Sequence, residues 1–238
     1  VNRPEVRNAI DLATAQELER ALDQCETDSA VRAIVLSGAD RYFSADMDLK
    51  AVSATGERPI TASRGAFGIV EKPPGKPLVA AVEGYALGGG LEIALCVDLI
   101  VAAADARLGL PEVKRGLVAS AGGVIRLARR VPFAAAMELI LTGEPIMASK
   151  ALELGLINRV ATPGNALAEA IDMARVIAAN APMAVRAAKA IVLESADWAA
   201  RNAFSEQRKY TDPVRASDDA REGASAFVEK RQPQWTDS

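Results

Sequence analysis

Leu12, Ala15, Leu18, Leu22 and Cys25 recur at steps of three and four, with Gln16, Glu17, Glu19 and Arg20 on the opposite face. That period predicts an amphipathic helix, and Asp11 stands where a side-chain cap is needed. The pattern then changes. Val31-Arg32-Ala33-Ile34-Val35-Leu36 is a short apolar run closed by Ser37-Gly38, the signature of a buried strand. Leu78 to Val82, Leu99 to Ala103 and Leu156 to Val160 read the same way, with a shorter strand near Arg107 to Leu110.

Between these runs, Asp40 to Lys50 reads as a loop entering a short helix. Gly56 to Gly75 is polar and rich in Gly and Pro, which predicts a mobile segment with a short helix around Phe67 to Val70. Gly84 to Gly90 predicts a turn, and Leu91 to Cys96 a helix leaving it. Beyond Ala119 helical patterning dominates. One helix is entered through Pro132 and reaches Leu141, and Ala148 to Leu154 forms another that Gly155 stops. Three more follow with breaks near Asn180-Ala181-Pro182 and Asp197, and a last one runs from Asp218 to about Lys230. Strands alternating with helices early, and helices late, predict an α/β fold. No repeat of fixed period is present.

Composition sharpens this picture. The chain has 238 residues, half of them apolar but only 4% aromatic, so the core must be built from Ala, Val, Leu and Ile. A net charge of −3 with mixed signs supplies no basic face for nucleic acid. The most apolar stretch, Leu91 to Ala104, is interrupted by Glu92 and Asp98 and is too short to span a bilayer. Cys25 and Cys96 lie inside apolar patterns and read as core thiols, which points to a reducing, cytoplasmic compartment. The chain opens on Val1-Asn2-Arg3-Pro4 without an initiator Met, so residues are expected ahead of it, and this start does not read as a signal peptide.

The chain contains no histidine. Ser-His-Asp and Cys-His nucleophile systems are therefore excluded, as are His-rich metal sites. Proton transfer must fall to Asp, Glu, Lys, Tyr or Cys. Two turns invite a ligand. In Gly84-Tyr85-Ala86-Leu87-Gly88-Gly89-Gly90-Leu91-Glu92, a strand enters a triple glycine and a helix leaves it. Backbone N–H groups at that helix start favour negative charge, and the spacing matches neither a dinucleotide motif nor a phosphate loop. An oxyanion-binding turn fits, with tight strand–helix packing as the ordinary alternative. In Phe43-Ser44-Ala45-Asp46-Met47-Asp48-Leu49-Lys50 the ordinary reading, a helix cap at Asp48, is preferred. Taken singly, Glu92 complements a helix dipole and Glu112 is a solvated loop charge. Both flank one glycine-rich turn, however. Two convergent carboxylates with separated pKa values supply one acid and one base, as water addition without histidine requires.

At this point the ordered set of motifs resembles the crotonase (enoyl-CoA hydratase/isomerase) family over nearly the whole chain. It runs from Asn2-Arg3-Pro4 through Phe43-Ser44-Ala45 and Met47-Asp48-Leu49-Lys50 to Lys76 to Gly84 and Gly88 to Glu92. It continues through Leu110-Pro111-Glu112, Gly122-Gly123 with Arg126-Leu127, and Leu141-Thr142-Gly143, to Phe227 to Arg231. The resemblance implies a crotonase-like spiral of β-β-α repeats, with residues 1–180 as the acyl-CoA-binding core and 181–238 as a helical trimerisation region. It also implies a homotrimer or a dimer of trimers, with no cofactor beyond the coenzyme A of the substrate and no metal. Activity is expected to be addition of water to a 2-enoyl-CoA thioester, or its removal. The backbone N–H groups of Met47 and Gly89 would hold the thioester oxygen. Glu92 would deprotonate the water and Glu112 would exchange the α-carbon proton. Ala45, Asp48, Leu49, Gly88 and Ser120 would line the substrate, while Lys50 and Lys230 would meet CoA phosphates. Two departures stand out: Asp46 replaces a usual Gly beside the oxyanion residue, and Ser120 replaces a frequent Gly beside the water site. Rival readings are another dehydratase or isomerase of the family, for example on a carnitine-derived or aromatic acyl-CoA, and a non-catalytic acyl-CoA binder or an RNA-associated member, against which the glutamate pair and the lack of a basic patch respectively argue.

Overall fold

The computed structural model describes residues Val1–Ser238. Asp11 accepts a hydrogen bond from the Thr14 N–H at 2.8 Å and so opens α1 (Leu12–Thr27). Strand β1 (Ile34–Ser37) follows, then α2 (Leu49–Thr55) and a hairpin of β2 (Ile60–Thr61) and β3 (Gly65–Ala66). Strands β4 (Leu78–Val82) and β5 (Tyr85–Leu87) lead into α3 (Gly89–Cys96). Next come β6 (Leu99–Ala103), β7 (Arg107–Gly109), a 3-10 turn over Pro111–Arg115, α4 (Gly123–Arg130) and α5 (Phe133–Thr142). Strand β8 (Ile146–Met147), α6 (Ala148–Glu153) and β9 (Arg159–Ala161) complete the sheets. The chain then continues as α7 (Ala166–Ala178), α8 (Pro182–Glu194), α9 (Ala203–Ala216) and α10 (Asp218–Glu229).

The strands sort into two main sheets. One is parallel in the order β1-β4-β6-β9, and the other has the order β5-β7-β8, with β5 and β7 parallel. Strands β4 and β6 thus lie in one sheet and their successors β5 and β7 in the other, and α3 returns the chain from the first pair to the second. That is the β-β-α spiral of the crotonase fold. Ile34 pairs with Leu78, Val79 with Leu99 and Val101 with Arg159, so the repeat is spatial and unevenly spaced along the sequence. Strand β4 is buried at every position, as a central parallel strand covered on both faces must be. Helix α7 covers β1, β4 and β6.

Several elements differ from expectation. No helix forms over Phe67 to Val70. Residues 60–66 pair as a hairpin instead, and Phe67 adopts φ +56°. That segment is anchored: Ile69 and Val70 are core residues, and the buried Arg64 guanidinium pairs with Asp23 at 2.7 Å. The expected turn from Gly84 to Gly90 contains β5, because Tyr85–Leu87 completes a backbone ladder with β7. The strand expected from Leu156 begins only at Arg159, since the Asn158 side chain already accepts from the Ile100 N–H. Both cysteines are free thiols. Burial pushes the Cys96 thiol up to about 12. No single helix is long and apolar enough to cross a membrane.

Beyond α7, the helical region is tied to the rest of the chain by a few polar anchors. Lys189 Nζ on α8 donates to the carbonyls of Pro74 and Lys76 and to the Asp98 carboxylate, at 2.7–2.9 Å. Trp235 Nε1 donates to the Ala179 carbonyl. Val192, Leu193, Phe204, Phe227 and Val228 on these helices are exposed.

Candidate active site

The site begins where β5 ends. Gly88 (φ +55°) turns the chain into α3, a backbone conformation that a side chain would strain. Gly90 lies against the loop before α2, where a Cβ would collide with the Ser44 carbonyl oxygen. These glycines let the start of α3 approach residues 43–48 closely. The loop itself is held from the other side. The Ala45 N–H donates to the Arg7 carbonyl, the Ile10 N–H to the Asp46 carbonyl, and the Asp48 N–H to the Ile10 carbonyl. Arg3 adds an ion pair to Asp48 at 3.0 Å and another to Asp11 at 3.2 Å.

Loop and helix together aim two backbone donors at one point. The N–H groups of Met47 and Gly89 converge on a single oxygen, at 2.7 and 2.9 Å. That oxygen is Oδ1 of Asp46. Asp46 stands at φ +95°, and from there its side chain folds over its own loop onto the first turn of α3. Burial raises its pKa, while the two backbone hydrogen bonds and the charge of Arg115 act the other way. Met47 and Gly89 are the two residues that the family resemblance implies as donors. The direction of the Asp46 side chain was not legible, because the sequence shows only that a carboxylate replaces a small residue.

The two expected carboxylates flank this point and form one cleft with it: the charge of Asp46 acts on both, and that of Glu92 acts on Glu112. Glu92 projects from the first turn of α3 and is only 4% exposed. Its Oε1 accepts from the N–H groups of Ala121 (2.7 Å) and Gly123 (2.9 Å), and burial nonetheless raises its pKa. Glu112, in the 3-10 turn after β7, is 8% exposed. Its Oε2 is buried with no hydrogen-bond partner. Burial, together with the charges of Asp46 and Glu92, pushes its pKa up to about 7. The pair therefore holds two carboxyls of unequal proton affinity, and Glu112 keeps its proton to higher pH. Ala121 and Gly123 escaped sequence reasoning, since they act through backbone amides that carry no residue-type signal.

The remaining residues separate. Gly88 is buried at the turn, and Ala45 is half-buried beside Asp46. Asp48 is buried as the cap of α2, accepting from the N–H groups of Lys50 and Ala51 and pairing with Arg3, which leaves it a structural role. Leu49 and Lys50 are exposed on the first turn of α2. Ser120 is exposed, and the amides that reach Glu92 belong to Ala121 and Gly123 instead. Lys230 ends α10 at φ +55°, exposed and bonded to none of the site residues. No group of three or more Cys, Asp or Glu side chains is arranged to hold a metal ion.

Comparison with known proteins identifies one family over the whole chain. A family model described as "Enoyl-CoA hydratase/isomerase" matches residues 1–238. The crystal structure of an enoyl-CoA hydratase from Mycobacterium marinum superposes with a TM-score of 0.96 at 50% identity, covering 100% of this chain and 94% of that one. An enoyl-CoA hydratase of Mycobacterium tuberculosis is 38% identical over 99% of this chain and 91% of its own length. A carnitinyl-CoA dehydratase of Proteus mirabilis is also 38% identical, over 99% of this chain and 92% of its own length.

Proposed function

This chain belongs to the enoyl-CoA hydratase/isomerase family, and on that premise we propose a mechanism by which it adds water to a 2-enoyl-CoA thioester. The observation that carries the reading is the convergence of the Met47 and Gly89 amides on one oxygen position, in a cleft that also holds Glu92 and Glu112. The thioester oxygen takes that position. As charge moves onto it in the enolate, each amide donor contributes about 2.7–4 kcal/mol of transition-state stabilisation.

Glu92, ionised, takes a proton from water as the water oxygen bonds to the β-carbon. The Ala121 and Gly123 amides hold its Oε1 and so fix its direction. Glu112, protonated in part near neutral pH, gives its proton to the α-carbon. The unpaired Oε2 of Glu112 lacks any protein group to compete for that proton. Water removal runs the same steps backwards with the roles exchanged. Lys50 and Lys230 are expected near the phosphates of CoA. The exposed apolar side chains of α8 to α10 support a homotrimer, or a dimer of trimers, built on the helical region 181–238. Residues 1–180 carry the substrate, and we place the protein in the cytoplasm.

Loss of the conjugated enone absorbance of crotonyl-CoA on adding the protein tests the reading. Turnover supports it. Absence of turnover on crotonyl-CoA, with turnover of a carnitine-derived thioester, moves the assignment to the dehydratase branch that the Proteus mirabilis relative represents. Binding of both thioesters without turnover of either identifies a binder.

A further inference from the structure

The amide pair that would hold the thioester oxygen is already filled from within the chain. We infer that Asp46 is a built-in competitor for the thioester oxygen, so that the protein rests with its oxyanion hole closed and works only when this carboxylate turns away. The inference rests on the reading of Met47 and Gly89 as the donors to that oxygen.

Three observations carry it. A single atom, Asp46 Oδ1, takes both N–H groups at 2.7 and 2.9 Å, the distances an oxyanion would take. An ionised acceptor binds such donors about twice as strongly as a neutral carbonyl, so an uncharged thioester competes at a disadvantage. The carboxylate is also pressed onto the glycine turn: a Cβ on Gly89 would lie 2.7 Å from Oδ1, and one on Gly88 would collide with Oδ2. Finally, Asp46 forms no ion pair with any Lys or Arg, so the two amides are its principal anchorage. The backbone that presents it is itself strained, with a non-glycine residue at φ +95°.

The surroundings set the pH sense. From α3, Asp46 faces the carboxyl of Glu92, and from the turn after β7 it faces Glu112 and the cation Arg115. The hairpin segment contributes uncharged Phe67 against Gly89, and the N-terminal segment contributes uncharged Ile10. Two of the three charged neighbours are acidic, and burial raises the Asp46 pKa further. Protonation turns Asp46 into a poorer acceptor, so the hole opens as pH falls and closes as pH rises.

The test compares wild type with Asp46→Gly, which suits the positive φ, and Asp46→Asn, which keeps the shape without the charge. Two readouts are taken: crotonyl-CoA hydration, and the red shift of 2,4-hexadienoyl-CoA on binding, which reports polarisation of the thioester carbonyl without any chemistry. We expect kcat/KM of Asp46→Gly to exceed wild type by ~100-fold, the effect of one oxyanion donor, with Asp46→Asn between them. The ratio of Asp46→Gly to wild type should shrink on acidification. The red shift should appear in Asp46→Gly and be absent or small in wild type. Equal red shifts in the two proteins, or none in either, overturn the inference whatever the turnover. A red shift confined to Asp46→Gly with no hydration by any variant keeps the closed hole and removes the water-addition reading instead.

Discussion

On one side of the cleft, two backbone donors share a carboxylate oxygen of Asp46; on the other, Glu112 ends in a buried oxygen that nothing in the chain meets. The difference follows from the kinds of group involved. The Gly89 N–H at the start of α3 cannot be turned away without unwinding the helix, and the Met47 N–H is fixed by the hydrogen bonds that hold its loop to Ile10, so both need an acceptor. A carboxyl has another recourse when it is buried: it keeps its proton, and the raised pKa of Glu112 is that response. One half of the cleft is thus satisfied by the chain, and the other is left for a ligand.

Breaking the unsatisfied half should have the largest effect. Glu112→Gln removes the transferable proton and should lower kcat for hydration by about 10²–10⁴, leaving thioester affinity nearly unchanged. Steady-state kinetics with a parallel binding titration checks this, and a near-wild-type rate would remove Glu112 from the chemistry. Next comes the scaffold of the satisfied half. Gly90→Ala drives a methyl group into the Ser44 carbonyl and should cost about 3 kcal/mol, the upper end of ordinary overpacking. Chemical denaturation would show this, and an unchanged midpoint would mean that the loop yields more easily than its hydrogen bonds indicate.

An effect of similar size tests the proton on Glu112. Its folded-state pKa, about 7, lies above the ordinary 4.5, so the native state binds more protons than the unfolded one between those values. Stability should therefore fall as pH rises through that window, and Glu112→Gln should lack this slope. The variant should melt above wild type at about pH 8 and close to it at about pH 4, as scanning calorimetry can read. The smallest effect is expected far from the cleft. Lys230→Ala should raise KM for a CoA thioester by no more than ~5-fold, the worth of an exposed charge pair, and salt should erase the difference.

Much of this arrangement was legible because it rests on periodicity. The cap at Asp11, the strands from Leu78 to Val82 and Leu99 to Ala103, and the helices broken at Pro182 follow patterns that local physics enforces. Strand β5 was not legible, since a three-residue strand between glycines has too few positions to show alternation. The hairpin over residues 60–66 was hidden for a similar reason, and the Arg64–Asp23 pair that secures the segment joins residues far apart in sequence. At the site, Glu92 and Glu112 could be named from their positions beside a glycine-rich turn. The amides of Ala121 and Gly123 could not, because any residue but proline offers an N–H.

The Arg3 guanidinium has a further bearing on Asp46. By holding Asp11 and Asp48, it pins the start of α1 and the start of α2 on either side of the segment that carries Met47. Wholesale displacement of that segment would unseat two helix caps at once. Unlatching the hole is thereby confined to rotation about the side-chain bonds of Asp46, which must break its two backbone hydrogen bonds but displaces no helix. Catalysis would then sense the latch as a standing tax on equilibrium occupancy, levied without any movement of the backbone that carries Met47.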